Sequence, residues 1–312
     1  MKILLAVNGA DTEAWLFALK ASMPTADIRV WHAGDTAPAD YILYWKVHAD
    51  ALSPRAGVKA IFNLGAGIDA IVKLVHDNPG TLARQVPVIR LEDAGMAQQM
   101  AQYAVYCALR YQRRFDEYED IVRKGSWQPM DAHPIEAFTV GVLGAGQLGK
   151  PVALALLGMG FPVRIYSRSE KTIPGVEGYA GAHNLDAFAR GVRMLVNLLP
   201  NTPETLGILS GRLFRQMARG SYVVNLARGS HLVERDVINA LNDGTLSRVA
   251  LDVFQEEPLP PNHVFWKHPG VELTPHIAAR TLVRESVAQI VEKIARHQRG
   301  EQFTGLDFAR GY

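Results

Sequence analysis

Short apolar segments alternate with stretches of helical periodicity along the whole chain. Strands buried on both faces of a parallel sheet give short continuous apolar runs, whereas the connecting helices place apolar residues three or four positions apart. In the first hundred residues, strands are predicted at 2–8, 28–32, 40–44, 58–63 and 87–91. Helical patterns at 12–23 and 68–77 lie between them. This alternation is typical of a parallel α/β domain.

A second series of the same kind begins at residue 138. Its predicted strands are 138–143, 162–167, 192–198, 221–227, 249–254 and 271–275. Helices are predicted at 147–158, 210–218 and 233–243. The chain is therefore predicted to form two α/β domains, which its length of 312 residues also favours.

Two further helical patterns adjoin these series. Apolar residues recur at 96, 100, 103, 104, 107, 108 and 111, which predicts a connecting helix from Met96 that extends past Tyr118. A last helix, 281–298, is predicted to pack back on the first domain. The predicted domains are thus a discontinuous one, 1–98 with 281–312, and a continuous one, 99–280.

Composition and charge exclude several classes of protein. The 33 basic and 31 acidic residues leave a net charge of +2, and no basic run exceeds Arg113-Arg114, so a nucleic-acid partner is not expected. The single cysteine, Cys107, cannot form an internal disulfide, and the Cys and His spacing indicates no metal site. The weakly charged stretch 137–163 contains glycines, prolines and Lys150, which argues against a membrane span. We expect a cytoplasmic protein with no membrane partner.

A glycine-rich loop follows the first strand of the second series. The apolar run from Phe138 to Leu143 leads into Gly144-Ala145-Gly146-Gln147-Leu148-Gly149 and then into an apolar helix. Such glycines permit a tight turn, close approach of the backbone to a pyrophosphate, and close packing of helix on strand. The helix N-terminus offers unpaired N–H groups to phosphate oxygens. The alternative is an ordinary strand-to-helix turn, but the complete context predicts dinucleotide binding.

The next strand ends in a basic turn, Ser167-Arg168-Ser169, with Lys171 nearby. NAD-binding domains place a carboxylate here for the ribose 2′-hydroxyl, whereas an arginine accommodates the 2′-phosphate of NADP. A solvated basic turn is the alternative. Together with the glycine loop, these residues predict NADP as cofactor, with NADPH preferred and NADH weaker.

Three fragments occur at the ends of later predicted strands, where ligands bind in open parallel sheets. They are Asn225-Leu-Ala-Arg228-Gly229, the stretch from Leu251 to Pro258 and Thr274-Pro-His276-Ile-Ala278. Each fragment alone has an ordinary structural explanation. In this order behind the glycine loop, and with Leu199-Pro200-Asn-Thr-Pro-Glu-Thr205, they resemble the D-isomer-specific 2-hydroxyacid dehydrogenases.

The resemblance implies a fold of two doubly wound parallel-sheet domains, a Rossmann cofactor domain inserted into a flavodoxin-like substrate domain. It also implies a catalytic trio. Arg228 can hold a carboxylate and the adjacent ketone through its planar fork. His276 would donate the proton as the hydride arrives, while Glu257 would orient its ring and favour the protonated form.

The other expected site residues complete a cleft between the domains. For the cofactor the resemblance implies Leu199, Pro200, Thr205, Leu226, Ala227, Asp252 and Ala278. For the substrate, the backbone amides of Ala66 and Gly67 in a glycine-containing turn can hold the same carboxylate from the other domain. Trp45, after a predicted strand, is a candidate pocket wall; a purely structural role for Trp45 is an equal alternative.

Segments of the first domain, Leu64–Asp69 and Leu91–Met100, and the C-terminal Ala309–Tyr312 resemble enteric members of the family that reduce small 2-oxo acids. NADPH-dependent reduction of glyoxylate to glycolate and of hydroxypyruvate to D-glycerate is therefore expected, in a homodimer. One alternative is a related dehydrogenase for a larger 2-oxo acid or for phosphohydroxypyruvate. Another is a nucleotide-sensing scaffold that uses the same fold for partner binding.

Overall fold

The computed structural model describes residues 1–8, 12–65, 67–78, 80, 82 and 86–308. The chain divides into two compact units, one of Met1–Met96 with Thr281–Tyr312 and the other of Ala97–Arg280. Each unit has its own parallel sheet, five-stranded in the first and seven-stranded in the second.

The first sheet consists of Lys2–Val7 (β1), Asp27–Val30 (β2), Tyr41–Trp45 (β3), Ala60–Asn63 (β4) and Val88–Arg90 (β5). The second consists of Val140–Leu143 (β6), Val163–Ser167 (β7), Glu177–Ala180 (β8), Met194–Asn197 (β9), Ser221–Asn225 (β10), Leu246–Leu251 (β11) and Val271–Leu273 (β12). The helices are Thr12–Ser22 (α1), Asp69–Asp77 (α2), Met96–Gln112 (α3), Phe115–Arg123 (α4), Gly149–Gly158 (α5), Leu185–Ala189 (α6), Gly211–Phe214 (α7), Glu234–Asn242 (α8) and Val283–Gln298 (α9).

The strand orders are those of doubly wound folds. The first sheet runs β2-β1-β3-β4-β5, which is the flavodoxin-like order. The second runs β12-β11-β10-β9-β6-β7-β8, a Rossmann order with one added strand. In each sheet the order of strand addition reverses beside the first strand, β1 or β6. The loop after β6 is the glycine loop. The predicted fold class is confirmed.

The central strands are buried because helices cover both faces of each sheet. In β9 and β10 every residue is buried, as the continuous apolar runs predicted. The α3 helix packs into the hydrophobic core of the second unit through residues such as Ala104, Cys107 and Tyr111. The Tyr111 ring stacks on the Tyr222 ring, with centroids 4.3 Å apart. Burial raises the pKa of the Cys107 thiol, which favours the neutral form.

Three sequence-based predictions are corrected. The sequence predicts no strand at β8, because Glu177-Gly-Tyr-Ala180 lacks an apolar run. This segment is an edge strand with no buried residue, so its place in the sheet does not require an apolar run. The predicted strand 249–254 is displaced, because β11 ends at Leu251 and leaves Asp252 in the following loop.

The third correction concerns the connecting helix. It ends at Gln112 and a second helix, α4, starts at Phe115. Arg114 between them has a φ of +62°, in the left-handed region, and its guanidinium donates to both carboxylate oxygens of Glu117 at 2.7 and 2.8 Å. Arginine favours helices, so the residue type at 114 does not indicate a break. The apolar spacing does not indicate one either.

A buried ion pair joins α4 to the second sheet. The side chain of Asp116 is fully buried, and Arg248 of β11 donates to it at 2.8 Å and to Asp120 at 2.6 Å. Burial raises the pKa of Asp116, and the charge of Arg248 opposes that rise. The ionised form of Asp116 is therefore stabilised by the Arg248 guanidinium.

We expect Arg248→Met to lower the free energy of unfolding by about 3 kcal/mol at neutral pH, because it leaves a buried carboxylate unpaired. The loss should shrink as pH falls, since protonated Asp116 needs no counter-charge; a raised carboxyl pKa costs stability only where the group ionises. Denaturant unfolding at several pH values measures this. Arg123→Met is the control, because Arg123 pairs with Asp120 on the exposed face of α4. Equal losses in the two variants would contradict the prediction.

Candidate active site

The glycine loop has the geometry that a dinucleotide requires. Gly144 has a φ of +109°, and a Cβ there would lie 2.8 Å from the Leu198 carbonyl oxygen. A Cβ on Gly149 would lie 1.8 Å from the carbonyl oxygen of Gly144, so only glycine lets α5 begin this close to the turn. A Cβ on Gly146 would meet nothing within 4 Å. The outer two glycines are required by internal contacts, and the middle one leaves open space over the backbone, which fits a pyrophosphate.

The residues between the outer glycines differ in exposure. Gly146 and Gln147 are exposed, whereas Ala145 and Leu148 are half-buried. They precede the first turn of α5, where the Lys150 N–H donates to the Gly146 carbonyl at 3.1 Å and Pro151 has no N–H. The exposed backbone of Gly146 and Gln147 is therefore the part of the turn that is open to phosphate oxygens.

The basic turn after β7 lies next to this loop, because Tyr166 and Leu143 are partners in the sheet. Ser167 donates its hydroxyl to the Ser169 carbonyl at 2.6 Å, and the side chains of Arg168, Ser169 and Lys171 are exposed. The arrangement suits an exposed anionic group.

Arg168 also has an anionic neighbour. The Thr202 hydroxyl, the backbone N–H of Glu204 and the charge of Arg168 together hold the pKa of Glu204 below its usual range. The basic turn is therefore close to the segment that follows β9.

That segment contains the predicted cofactor residues Leu199, Pro200 and Thr205. The Thr205 hydroxyl donates to the Pro200 carbonyl at 2.7 Å and accepts from the Thr202 N–H at 2.9 Å. Leu199 is buried and Pro200 is exposed at the carboxyl edge of the sheet. The turn is thus closed by its own side chain, and this role for Thr205 had no sequence signal.

Arg228 follows β10 on the same edge. Its guanidinium is half-buried and donates to the Ala227 carbonyl at 2.6 Å, while Leu226 and Ala227 are buried. A Cβ on the next residue, Gly229, would lie 1.8 Å from the Phe254 carbonyl carbon. The glycine therefore allows the arginine loop to pack against the loop that carries Glu257.

Asp252 organises the loop of His276. Its buried carboxylate accepts hydrogen bonds from the Thr274 hydroxyl at 2.6 Å and from the N–H groups of Ile277 and Ala278 at 2.8 and 2.9 Å. Its carbonyl accepts from the His276 N–H at 2.9 Å. These bonds hold His276 at a φ of +54°, a left-handed conformation that costs energy for this residue type.

Glu257 and His276 form the pair that the sequence predicted. Oε2 of Glu257 lies 2.7 Å from Nδ1 of His276, and Oε1 accepts from the Phe254 N–H at 3.0 Å. The side chains are 35% and 50% exposed respectively. Since Nδ1 is bonded to a carboxylate, Nε2 is the ring nitrogen that can exchange a proton with a substrate.

Three buried polar residues at this edge were missed from the sequence as functional candidates. Asn197, Asn225 and His231 are each 0% exposed. Asn197 Oδ1 accepts from the Leu199 N–H and Asn225 Oδ1 from the Ala227 N–H, both at 3.3 Å. The available signal was that two successive apolar strands both end in asparagine.

In the first unit, Trp45 contacts the predicted substrate turn. A Cβ on Gly65 would lie 2.3 Å from Cζ3 of the Trp45 ring, and Asn63 Nδ2 donates to the carbonyls of Gly65 and Gly67 at 2.9 and 3.0 Å. The buried Asn63 was not predicted to have a role. Ala66, a predicted substrate contact, lies outside the described residues, as does the C-terminal 309–312.

Two negative findings apply to the part of the chain that the structure describes. It contains no group of three His, Cys, Asp or Glu side chains arranged to hold a metal ion. None of its helices is both long enough and apolar enough to cross a membrane.

The chain is similar to known proteins over its full length. Residues 105–278 match the model of the D-isomer specific 2-hydroxyacid dehydrogenase, NAD binding domain. The chain is 50% identical to glyoxylate/hydroxypyruvate reductase A of Serratia proteamaculans, over 97% of each protein. It is 47% identical to the reductase of the same name from Escherichia fergusonii, over the full length of both.

Solved structures cover both units. A D-isomer specific 2-hydroxyacid dehydrogenase from Xanthobacter autotrophicus, in complex with NADPH and MES, has a TM-score of 0.91 at 35% identity, covering 100% of this chain and 99% of that one. An NADPH-dependent glyoxylate/hydroxypyruvate reductase from Sinorhizobium meliloti, in complex with NADP and sulfate, has a TM-score of 0.90 at 33% identity with the same coverage. The resemblance found in the motifs is confirmed, and the chain belongs to the family of D-isomer specific 2-hydroxyacid dehydrogenases.

Proposed function

We propose that this protein reduces small 2-oxo acids, namely glyoxylate to glycolate and hydroxypyruvate to D-glycerate, with NADPH. The observation that carries the proposal is the 2.7 Å hydrogen bond between Glu257 and His276, at the edge of the sheet that carries the glycine loop. The names of the relatives and the NADPH-bound and NADP-bound neighbours support the substrate and the cofactor.

The reduction adds a hydride and a proton across the ketone. NADPH supplies the hydride, and His276 Nε2 donates the proton to the carbonyl oxygen. Glu257 stabilises the imidazolium by its charge and orients the ring. The Phe254 N–H holds the Glu257 carboxylate in the position that this requires. Asp252 acts through the loop rather than on the substrate, since both of its carboxylate oxygens bind loop donors.

Arg228 holds the substrate. Its guanidinium is half-buried, and its planar fork matches a carboxylate next to a ketone. In the first unit, the Gly67 backbone is proposed to bind the same carboxylate and Trp45 to bound the substituent on the ketone; Asn63 stabilises that turn.

The cofactor is held by the glycine loop and the basic turn. Residues 144–149 bind the pyrophosphate, and Ser167, Arg168, Ser169 and Lys171 bind the 2′-phosphate. Leu199, Pro200, Thr205, Leu226, Ala227, Asp252 and Ala278 are proposed to form the remainder of the cofactor site, Asp252 through its loop.

A homodimer is also proposed. Several large apolar side chains of α3, α4 and the loop after them are exposed, with Trp127 98% exposed and Val122 68% exposed. A second copy of the chain would remove them from water. Sedimentation should give a dimer that Trp127→Ser weakens, whereas Phe17→Ser, at an exposed position of α1, should not.

The test of the function is oxidation of NADPH and NADH by the purified protein against a panel of 2-oxo acids. Highest kcat/KM with glyoxylate or hydroxypyruvate supports the proposal. Highest kcat/KM with a larger acid or with phosphohydroxypyruvate identifies a related dehydrogenase instead. Binding of NADPH without turnover of any substrate identifies a nucleotide-sensing protein.

His276→Ala should lower kcat for glyoxylate by about 10²- to 10⁴-fold, the usual contribution of a general acid. The dissociation constant of NADPH, measured by fluorescence titration, should stay within about threefold because the ring is not expected to bind the cofactor. Glu257→Gln should cause a smaller loss, because a neutral amide holds the ring nitrogen less strongly than a carboxylate does. His268→Ala is the control. Turnover of His276→Ala within threefold of the parent would exclude His276 as the acid.

Arg228→Lys should bind and reduce glyoxylate poorly, although the substitution keeps the positive charge. A lysine ammonium cannot bind carboxylate and carbonyl together, so we expect KM for glyoxylate to rise about tenfold and kcat to fall. Arg212→Lys, on the exposed surface of the same unit, should leave both constants unchanged. An unchanged KM in Arg228→Lys would mean that the carboxylate is bound elsewhere.

Arg168→Asp should reverse the cofactor preference. A charge-assisted fork of about 1.5–3 kcal/mol predicts a preference for NADPH of roughly ten- to a hundredfold in the parent. Aspartate removes the fork, repels the phosphate and offers an acceptor to the ribose hydroxyl. The ratio of kcat/KM for the two cofactors measures the change, and in the parent it should fall with added salt. Arg235→Asp in α8 makes the same change of charge and should leave the ratio intact; a ratio unmoved by Arg168→Asp would contradict the assignment.

A further inference from the structure

The carboxyl ends of β9 and β10 contain an unusual amount of buried polar chemistry. Asn197 and Asn225 are partners in the sheet register and, with His231, are fully buried. Buried amides and imidazoles destabilise a protein unless their hydrogen bonds are made. Three such residues in contact therefore indicate a network whose arrangement matters.

His231 is the centre of this network. The Asn197 amide group donates one hydrogen to Asn225 Oδ1 and the other to His231 Nδ1, both at 2.9 Å. Because Nδ1 accepts, the neutral ring carries its hydrogen on Nε2, which lies 3.3 Å from Thr205 Oγ1. The ring thus has an acceptor on one side and a donor on the other.

Each side of the ring leads to a different part of the active site. On the acceptor side, Asn197 binds Asn225, and Asn225 Nδ2 donates to the Arg228 carbonyl at 2.9 Å. On the donor side, Thr205 Oγ1 donates to the Pro200 carbonyl at 2.7 Å. One continuous chain of hydrogen bonds therefore joins the substrate arginine to the cofactor turn.

We propose that His231 is a positioning residue that sets the Arg228 loop and the Pro200–Thr205 turn relative to each other. The inference rests on the proposed function for what the two loops bind. It follows that the two ring nitrogens serve different ligands. The Nδ1 side maintains binding of the 2-oxo acid through Arg228, and the Nε2 side maintains binding of NADPH through Thr205.

Two substitutions separate these sides. Asparagine at 231 can keep an acceptor where Nδ1 stands, whereas glutamine can keep a donor near Nε2. We expect His231→Asn to raise the dissociation constant of NADPH about tenfold with the KM for glyoxylate within threefold. His231→Gln should do the reverse, and His231→Leu should impair both. A tenfold change corresponds to about 1.4 kcal/mol, in the range of one buried hydrogen bond.

The measurements are fluorescence titration of NADPH, steady-state kinetics and thermal unfolding of each variant. His263→Gln is the matched control, since His263 also bonds through both ring nitrogens, to Glu234 and to the Phe265 N–H, outside the network. It should lower Tm without changing either binding constant. Opposite patterns in His231→Asn and His231→Gln support the proposal. Lower Tm with unchanged binding constants in all three variants, or equal loss of both ligands in Asn and Gln, would overturn it.

The titration keeps this inference separate from the proposed function. If the parent protein reduced no 2-oxo acid, the function would fail, but NADPH affinity would still be measurable. A tenfold loss of NADPH affinity in His231→Asn, absent from His231→Gln, would then support the positioning role. Equal affinities in the two variants would refute it.

Discussion

Asp252 has a buried carboxylate just beyond β11, and the loop that presents His276 is built around it. The two oxygens accept from the Thr274 hydroxyl and from the N–H groups of residues 277 and 278, while the Asp252 carbonyl accepts from the His276 N–H. A carboxylate accepting backbone N–H bonds is a strong local anchor. The anchor holds His276 in a left-handed conformation that a free loop would rarely adopt. The bond from Glu257 to His276 Nδ1 depends on this placement.

The neighbouring loops are constrained by contact rather than by charge. Gly149 lets α5 begin against the Gly144 carbonyl, and Gly229 lets the arginine loop pack on the backbone of Phe254. A side chain at either position would overlap backbone atoms, which cannot move aside as a flexible side chain can. Loops fixed by such contacts hold Arg228 and the glycine-loop backbone in defined positions, as a preorganised site requires.

Asn197, Asn225 and His231 form a buried hydrogen-bonded network at the carboxyl ends of β9 and β10. The backbone N–H groups of residues just beyond β9 and β10 are buried, and buried N–H groups need acceptors. The asparagines supply partners for the N–H groups of Leu199 and Ala227, and His231 links the two loops. The same polar residues thus supply acceptors to the two loops and connect them, and these are the loops that the proposed function assigns to the two ligands.

Local signals in the sequence determined much of this protein. Apolar runs predicted eleven of the strands, and the central strands such as β9 and β10 need such runs because they are buried on both faces of a parallel sheet. The glycine loop, the basic turn and the order of Arg228, Glu257 and His276 predicted the family, since each depends on residue type and spacing. Other features had no local signal: β8 is an edge strand with no buried residue, and the helix breaks at Arg114, although arginine favours helices. The roles of Asp252 and His231 were decided only by tertiary structure. Their partners lie more than twenty residues away along the chain, and folding alone brings those donors and acceptors together.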